Sequence, residues 1–257
     1  MKIALIDSDI ICYRAAFLHE DAGVEDAIRC VVDMHIGWTE AARCDGYLAC
    51  LSTQANFRKN WWPEYKADRK KRPRPIHLSA LIGHVQNNMN SCWHYGWEAD
   101  DVMGYLATYP TDVERVIVTI DKDLDQIPGM HCNPDKETIY EVSDDDADLY
   151  SWMQVLSGDS TDNYPGIPKI GDKKAAAILA DAQYGDRESV VRAAYTERGL
   201  TEEYLLQMTT CAKILRYTKE LECAICSSDT TSQSPLQRLL SMLQPASGSD
   251  RLSETPA

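Results

Sequence analysis

The sequence predicts an α/β protein with a mostly parallel sheet flanked by helices. Two observations carry this. Apolar, β-prone runs at residues 2–6 and 115–120 each run straight into an aspartate, Asp7 and Asp121. Buried strands that end at a sheet edge read this way. Between them lies helical spacing, with Ala27, Ile28, Val31, Val32 and Ile36 on one face. Strands alternating with helices build parallel sheets, and functional groups then collect at the carboxyl ends of the strands.

The elements follow in order. Residues 2–6 form the first strand, 24–42 a long helix and 47–51 a second strand. Residues 56–75 have no apolar period, carry basic and aromatic side chains, and end in Pro73 and Pro75, which predicts a loop or arch. A helix follows to about residue 90, so the arch region spans about 56–90. Residues 98–109 form a helix that opens on acids, 115–120 a central strand and 138–142 a further strand. From 149 the chain reads as helical, with a Gly/Pro-rich hairpin at 164–171 and helices at 173–182, 187–198 and 202–221. This predicts a core over 1–148, a helical subdomain over 149–226 and a disordered tail over 227–257, where Ser, Thr, Gln and Pro dominate. In that tail Leu236, Leu239, Leu240 and Leu243 keep helical spacing.

With 257 residues and 44% hydrophobic content, the chain can bury a core without covalent staples. No apolar run is long enough to span a bilayer, and Asp7 cuts the first one short of a signal peptide. A cytoplasmic protein is expected, in the host cytoplasm if the chain is viral, with no membrane partner. The nine cysteines are scattered, and Cys223-x-x-Cys226 has no second pair, so zinc is not expected. A net charge of −14 opposes binding to nucleic acid. The average hides a strip from Arg58 to Arg74 with eight basic residues and only Glu64 and Asp68 against them. A basic strip beside acidic clusters suits a metal-dependent phosphodiester chemistry, where cations reverse the local sign.

Such chemistry needs several Asp or Glu from separate elements, because two Mg²⁺ or Mn²⁺ ions share the work and each keeps waters. The sequence offers four groups: Asp7; Glu98-Ala-Asp100-Asp101; Asp121-Lys-Asp123; and Asp159-Ser-Thr-Asp162. Each has a plainer reading as a helix cap or first-turn acid. The run Asp144, Asp145, Asp146 and Asp148 reads as a solvated helix start.

The ordered pattern resembles the 5′-nuclease family: phage 5′-exonucleases, flap endonucleases and the 5′-nuclease domain of bacterial DNA polymerase I. The matching pieces are Ile6-Asp7, Phe57-Arg58, Pro63-Glu-Tyr65-Lys66-Ala-Asp-Arg69, Glu98-Ala-Asp100-Asp101, Thr119-Ile-Asp121-Lys-Asp123 and Gly158-Asp159-Ser-Thr-Asp162-Asn-Tyr-Pro165-Gly166, the last leading to Gly171 and Lys173-Lys174-Ala175. The resemblance covers roughly residues 1–220. It implies a PIN-like core, a helical arch over the active site and a C-terminal helix-hairpin-helix subdomain. It implies a 5′-to-3′ exonuclease and flap endonuclease that leaves a 5′-phosphate and a 3′-hydroxyl. By the same resemblance Asp7, Glu98, Asp100, Asp101, Asp121, Asp123, Asp159 and Asp162 are metal-site positions for two or more Mg²⁺ or Mn²⁺ ions. Asp7 and Asp121 count with Lys66 and Arg69 as catalytic, the two cations on the scissile phosphate, and Tyr65 stacks on a terminal base. Many members carry another Asp after the second strand. Here the stretch is Leu51-Ser52-Thr53, so Ser52 or a water stands in.

Arg58, Lys70, Lys71 and Arg72 are expected to attract the DNA strand. Gly166 and Gly171 offer backbone N–H groups to duplex phosphates, with Lys169, Lys173 and Lys174 adding charge and K⁺ expected at the hairpin. Trp61 and Trp62 either stack on DNA or close the arch onto the core, while Trp38, Trp93 and Trp152 read as core. The expected partner is DNA with 5′ ends, flaps or strand junctions, and RNA–DNA hybrids enter as substrates under a ribonuclease reading. A second alternative is a DNA-binding protein without catalysis. No protein partner is legible.

Overall fold

The computed structural model describes residues 1–71 and 73–227, with the side chains of 70, 71, 226 and 227 left aside. Arg72, the side chains of Lys70 and Lys71, and the tail with its leucines therefore lie outside the described residues. The order is β1 (Lys2–Asp7), α1 (Ser8–Leu18), α2 (Val24–Ala41), β2 (Gly46–Cys50), α3 (Arg58–Trp61), α4 (Leu78–Asn88), β3 (Ser91–Cys92), α5 (Ala99–Thr108), β4 (Glu114–Val118), β5 (Gly129–Asn133) and β6 (Thr138–Val142). Then come α6 (Asp144–Ser157), α7 (Asp172–Leu179), α8 (Arg187–Glu197), α9 (Glu202–Ala212) and α10 (Lys219–Ser227). Short 3₁₀ turns cover Ala67–Lys71 and Lys122–Gln126.

The sheet order is β3-β2-β1-β4-β5-β6. All neighbours are parallel except the β5–β6 hairpin. Strand order runs outward in both directions from β1 and β4, so the crevice above their carboxyl ends is the place where such sheets bind ligands. Asp7 closes β1 in register with Cys50 at the end of β2, and Asp121 follows β4 by three residues.

Both faces of the sheet are covered. Ala4, Ile6, Val116 and Val118 face one cluster with α1, α2 and α4, while Leu5 and Ile117 face a second cluster with α5. This period-2 alternation of apolar residues is what a doubly covered strand requires. A third cluster unites α6 to α9 through Trp152, Leu156, Leu179, Tyr195 and Met208. At Gly104 a Cβ would meet the Leu215 carbonyl at 2.4 Å, so glycine lets the chain beyond α9 press against α5.

Several expectations shift. Residues 78–88 pack on α1 and α2 as α4, which confines the arch to the segment between α3 and α4. The helix expected at 202–221 ends at Ala212. Tertiary bonds pull the chain straight there: Ile214 N donates to Gln126 and Leu215 N to Asp101, while Arg58 takes the carbonyls of Cys211 and Lys213. Ile214 and Ile225 then rejoin the second cluster, and the expected boundary at 148/149 falls inside α6. The acidic start of α6 is not simply solvated, because Arg187 of α8, itself 4% exposed, bridges Asp145 at 2.7 Å and Asp148 at 2.9 Å.

Candidate active site

A pocket of about 870 Å³ opens above the carboxyl ends of β1, β2 and β4. Asp7, Asp9, Glu98, Asp100, Asp121, Asp123, Asp159 and Asp162 line it, with Ser52, Lys66, Arg69 and Lys122. Four groups far apart in sequence therefore meet in one place. Asp7 is the last residue of β1 and caps α1, accepting from Ile10 N at 3.4 Å and from Thr119 Oγ1 at 3.1 Å. Asp100 stands in the first turn of α5. Asp123 accepts from Tyr150 at 3.1 Å and from Gln154 at 2.6 Å, both on α6. Asp159 folds its own loop by accepting from Thr161 N at 2.6 Å.

The carboxylates divide into two sets. Glu98 and Asp162 are neutralised within the chain: Lys66 Nζ contacts Glu98 Oε1 and lies 3.2 Å from Asp162, and Arg69 lies 2.7 Å from Asp162. Burial alone would raise the Glu98 pKa, but Lys66 and Arg58 outweigh it and hold the carboxyl at about 2. Lys66 reaches this point from a backbone φ of +53°. Such a conformation costs a non-glycine residue about 1–3 kcal/mol and collects at functional sites. Its N–H donates to the Asp162 carbonyl at 2.8 Å, which holds the strained turn in place.

The other six, Asp7, Asp9, Asp100, Asp121, Asp123 and Asp159, have no salt bridge among the described residues. Burial and then the charge of Asp9 push the Asp7 carboxyl up to about 7. Burial and Asp121 push Asp123 up to about 6, and burial and Asp7 push Asp100 well above its ordinary range. Among the described residues no three such side chains close around one ion position. Magnesium does not need that closure, since it keeps several waters and takes one or two carboxylates. A donor set of hard oxygens with unmatched charge fits divalent cations of this kind.

A pH dependence follows for protein kept in EDTA. The folded pKa values of Asp7 and Asp123 lie above the ordinary carboxylate value of 3.8. At these two carboxyls the folded state holds more protons than the unfolded chain, and their contribution to stability is lost as pH rises towards about 6 and about 7, while buried His35, lowered to about 4, acts in the opposite sense. We expect the Tm of Asp7→Asn in EDTA, relative to the parent, to be higher at pH 8 than at pH 5.5, with Mg²⁺ restoring the parent more at pH 8. A difference between variant and parent that does not grow over this interval would contradict the charge assignment.

A family model described as 5′-3′ exonuclease, N-terminal resolvase-like domain matches residues 2–148. The chain belongs to this 5′-3′ exonuclease family. Flap endonuclease Xni of Shewanella oneidensis is 35% identical over 139 residues, which is 49% of this chain and 53% of that protein. DNA polymerase I of Caldicellulosiruptor bescii is 29% identical over 209 residues, covering 70% of this chain and 24% of that protein. The chain thus spans about half the length of the first relative and a quarter of the second. Among solved structures, a flap endonuclease of bacteriophage T5 in complex with DNA and metal ions has a TM-score of 0.67 at 15% identity, covering 95% of this chain and 99% of that one. That likeness is one of fold.

Within this 5′-3′ exonuclease frame, four sequence expectations need correction. Asp101 is fully buried and points away from the pocket, making a two-pronged pair with Arg58 at 2.6 and 2.7 Å. Arg58 is 2% exposed, so it reaches no DNA. Tyr65 is 3% exposed: its ring stacks on Tyr164 at 6.3 Å and its hydroxyl donates towards Glu98 at 2.9 Å and Asp162 at 3.1 Å. That ring has no free face for a base. Gly166 is buried too, since a Cβ there would meet Gly158 N at 2.4 Å. It serves backbone-to-backbone packing at φ +58°, where glycine is required.

Other expected positions lie at the surface away from the pocket. Gly171 caps α7 and is exposed with Lys169, Lys173 and Lys174. Trp62 closes the arch base, donating to the Asn163 carbonyl at 2.9 Å and meeting Tyr204 edge-on at 6.1 Å. Trp61 stays 43% exposed. Sequence reading missed two features of the pocket. Asp9 lines it two residues after Asp7, and an Asp-x-Asp at a strand-to-helix junction was the available signal. The second is an apolar wall of Ile10, Tyr13, Phe17, Leu18 and Met34, with Tyr13 and Phe17 stacked at 6.5 Å and exposed on one face of α1. Their i, i+4 spacing was visible, but the side that α1 turns to the core was not.

Proposed function

We propose that this chain is a divalent-metal-dependent 5′-nuclease that cuts DNA phosphodiesters near 5′ ends and at flaps, leaving a 5′-phosphate and a 3′-hydroxyl. One observation carries the reading: six carboxylates in no salt bridge among the described residues share a pocket wall with the cations Lys66 and Arg69, and with Arg14 and Lys122, which also line it. Divalent cations at this wall supply charge neutralisation on the phosphate and an activated water, as in two-metal sites. Asp7, Asp100, Asp121, Asp123 and Asp159 are the residues that would hold them. Lys66 and Arg69, which rest on Glu98 and Asp162, would stabilise charge that grows on the phosphate and the leaving oxygen. The Tyr13 and Phe17 rings offer an apolar face against which a base can stack, an interaction worth about 1–3 kcal/mol. The exposed start of α7 with Lys169, Lys173 and Lys174 serves as a handle on duplex phosphates, which gives recognition of structure more than sequence. K⁺ at the 166–171 hairpin belongs to the same reading and rests on the family resemblance alone.

The test is incubation with a 5′-flap duplex, a 5′-labelled blunt duplex and single-stranded RNA, with Mg²⁺ or with EDTA. Short 5′ products from the DNA substrates in Mg²⁺ only are expected. Cutting confined to RNA would make the protein a ribonuclease, and tight DNA binding without cutting would make it a non-catalytic binder. Lys66→Ala is expected to lower kcat roughly 100- to 1000-fold, the usual loss for one preorganised transition-state contact, with DNA affinity nearly unchanged. A loss of affinity without a fall in kcat would instead make Lys66 a steering charge.

A further inference from the structure

We propose that Asp9 is a metal-ligating residue, supplying from helix α1 the carboxylate that many members of the family place at the end of the second strand. The proposal rests on the metal-dependent reading above and adds a residue to it.

The geometry is direct. β2 ends at Cys50, and the chain passes over the sheet edge through Leu51 to Ser52. Ser52 N donates to Asp9 Oδ2 at 3.2 Å and to Oδ1 at 3.3 Å. Both oxygens of Asp9 therefore sit over the point where a side chain at position 52 begins. Ser52 in turn accepts from Ala99 N at 2.9 Å, at the start of the helix that carries Asp100. Asp9 is thus wedged between the ends of β1 and β2 and the first turn of α5, beside Asp7 and Asp100. It keeps partial exposure, and that exposure faces the pocket it lines.

Asp9 is in no salt bridge among the described residues, and the nearby Lys66 charge offsets its burial only in part. No cation lies within salt-bridge distance among the described residues, whereas its neighbour Glu98 is matched by both Lys66 and Arg58. Its donors are the Ser52 N–H, shared between two oxygens, and the Ser52 hydroxyl, which leaves part of the carboxylate's acceptor capacity free. An Asp buried only to accept from Ser52 would be better replaced by Asn, whose oxygen accepts the same bonds without a charge. Burial still outweighs Lys66 and the Ser52 donors at this carboxylate, so a cation that came to it would relieve the remaining cost. The exchange is also chemically even: Ser at 52 with Asp at 9 places one carboxylate at this corner, as Asp at 52 alone would.

The experiment uses the full chain and Mn²⁺ titrated by calorimetry without DNA, so that binding is read apart from cutting. Asp9→Asn keeps the acceptor for Ser52 N and is expected to fold with an unchanged or higher Tm. Its Mn²⁺ affinity should fall at least about tenfold, the lower end of what is lost when even a ligand's supporting partner is removed. Adding Ser52→Asp to Asp9→Asn returns the carboxylate from the strand side and is expected to recover most of that affinity. Parent-like Mn²⁺ binding by Asp9→Asn overturns the proposal, and so does a double variant no better than the single one. Should Asp9→Asn fail to fold, Asp9→Ser with Ser52→Asp carries the same prediction of parent-like binding. A parent protein that binds no Mn²⁺ and cuts no flap would overturn the nuclease reading itself, a result separable from these.

Discussion

Arg58→Ala is expected to lower the stability of this protein by about 3–5 kcal/mol, the usual cost of breaking a buried ion pair by removing one partner. All five guanidinium N–H groups are used. Nη1 reaches Asp101 at 2.6 Å and Glu98 at 3.3 Å, Nη2 reaches Asp101 at 2.7 Å and the Lys213 carbonyl at 2.9 Å, and Nε reaches the Cys211 carbonyl at 3.2 Å. One side chain therefore ties α3 to α5 and to the exit of α9. Burial alone would lower its pKa, but Asp101 outweighs it and raises the pKa well above the ordinary value. Removing it leaves the charge of Asp101 at 0% exposure with only two backbone donors, Glu98 N and Leu215 N. In a chain of this size each kcal/mol shifts Tm by roughly 2–4 °C, so a drop of roughly 10 °C is expected in a thermal melt. Arg58→Lys should fall between, because a point charge cannot make the two-pronged pair and hold two carbonyls. If Arg58 served DNA instead, the alanine variant would keep its Tm and lose affinity for duplex, and that result would sink the structural assignment.

The contrast between Asp100 and Asp101 marks the limit of what the sequence discloses. Adjacent helical residues point in different directions, so one of the pair enters the pocket while the other enters the core. Nothing local says which; the choice is made by Arg58, 42 positions before Asp100 in the chain. Tyr65 is a similar case, since its neighbours Tyr164 and Asp162 come from the loop after α6. By contrast, Asp7 and Asp121 were legible because each interrupts an apolar strand, and the parallel sheet they close follows from alternation along the chain. Strand β5, Gly-Met-His-Cys-Asn, has little strand character of its own and is formed by pairing with β4 and β6. The Gly/Pro-rich turn at 164–171 was legible, but the reason for Gly166 was not, because it lies against Gly158. Their backbones touch where any side chain would collide, so the motif reports packing before it reports phosphate.

Asp100→Asn should separate stability from function by moving them in opposite directions. Burial, then the charge of Asp7, raises the pKa of Asp100 well above its ordinary value, and Glu98 and Asp121 add to the repulsion. Without metal this carboxylate is a source of strain in the folded state. Its neutral isostere removes a charge without removing volume, so the Tm in EDTA should rise by a few degrees, on the order of 1 kcal/mol. With metal the sign reverses. The parent should gain Tm on adding Mg²⁺ because only the folded state gathers these carboxylates, whereas the variant should gain little. Cutting of a 5′-flap should fall at least about 100-fold, the upper end of what is lost when a ligand's supporting partner is removed. Sites that accept instability for the sake of function commonly show this trade. The reading fails if Asp100→Asn lowers the metal-free Tm or keeps the parent's response to Mg²⁺. Either result would mean that the repulsion is already relieved within the chain, leaving the pocket no need of a cation.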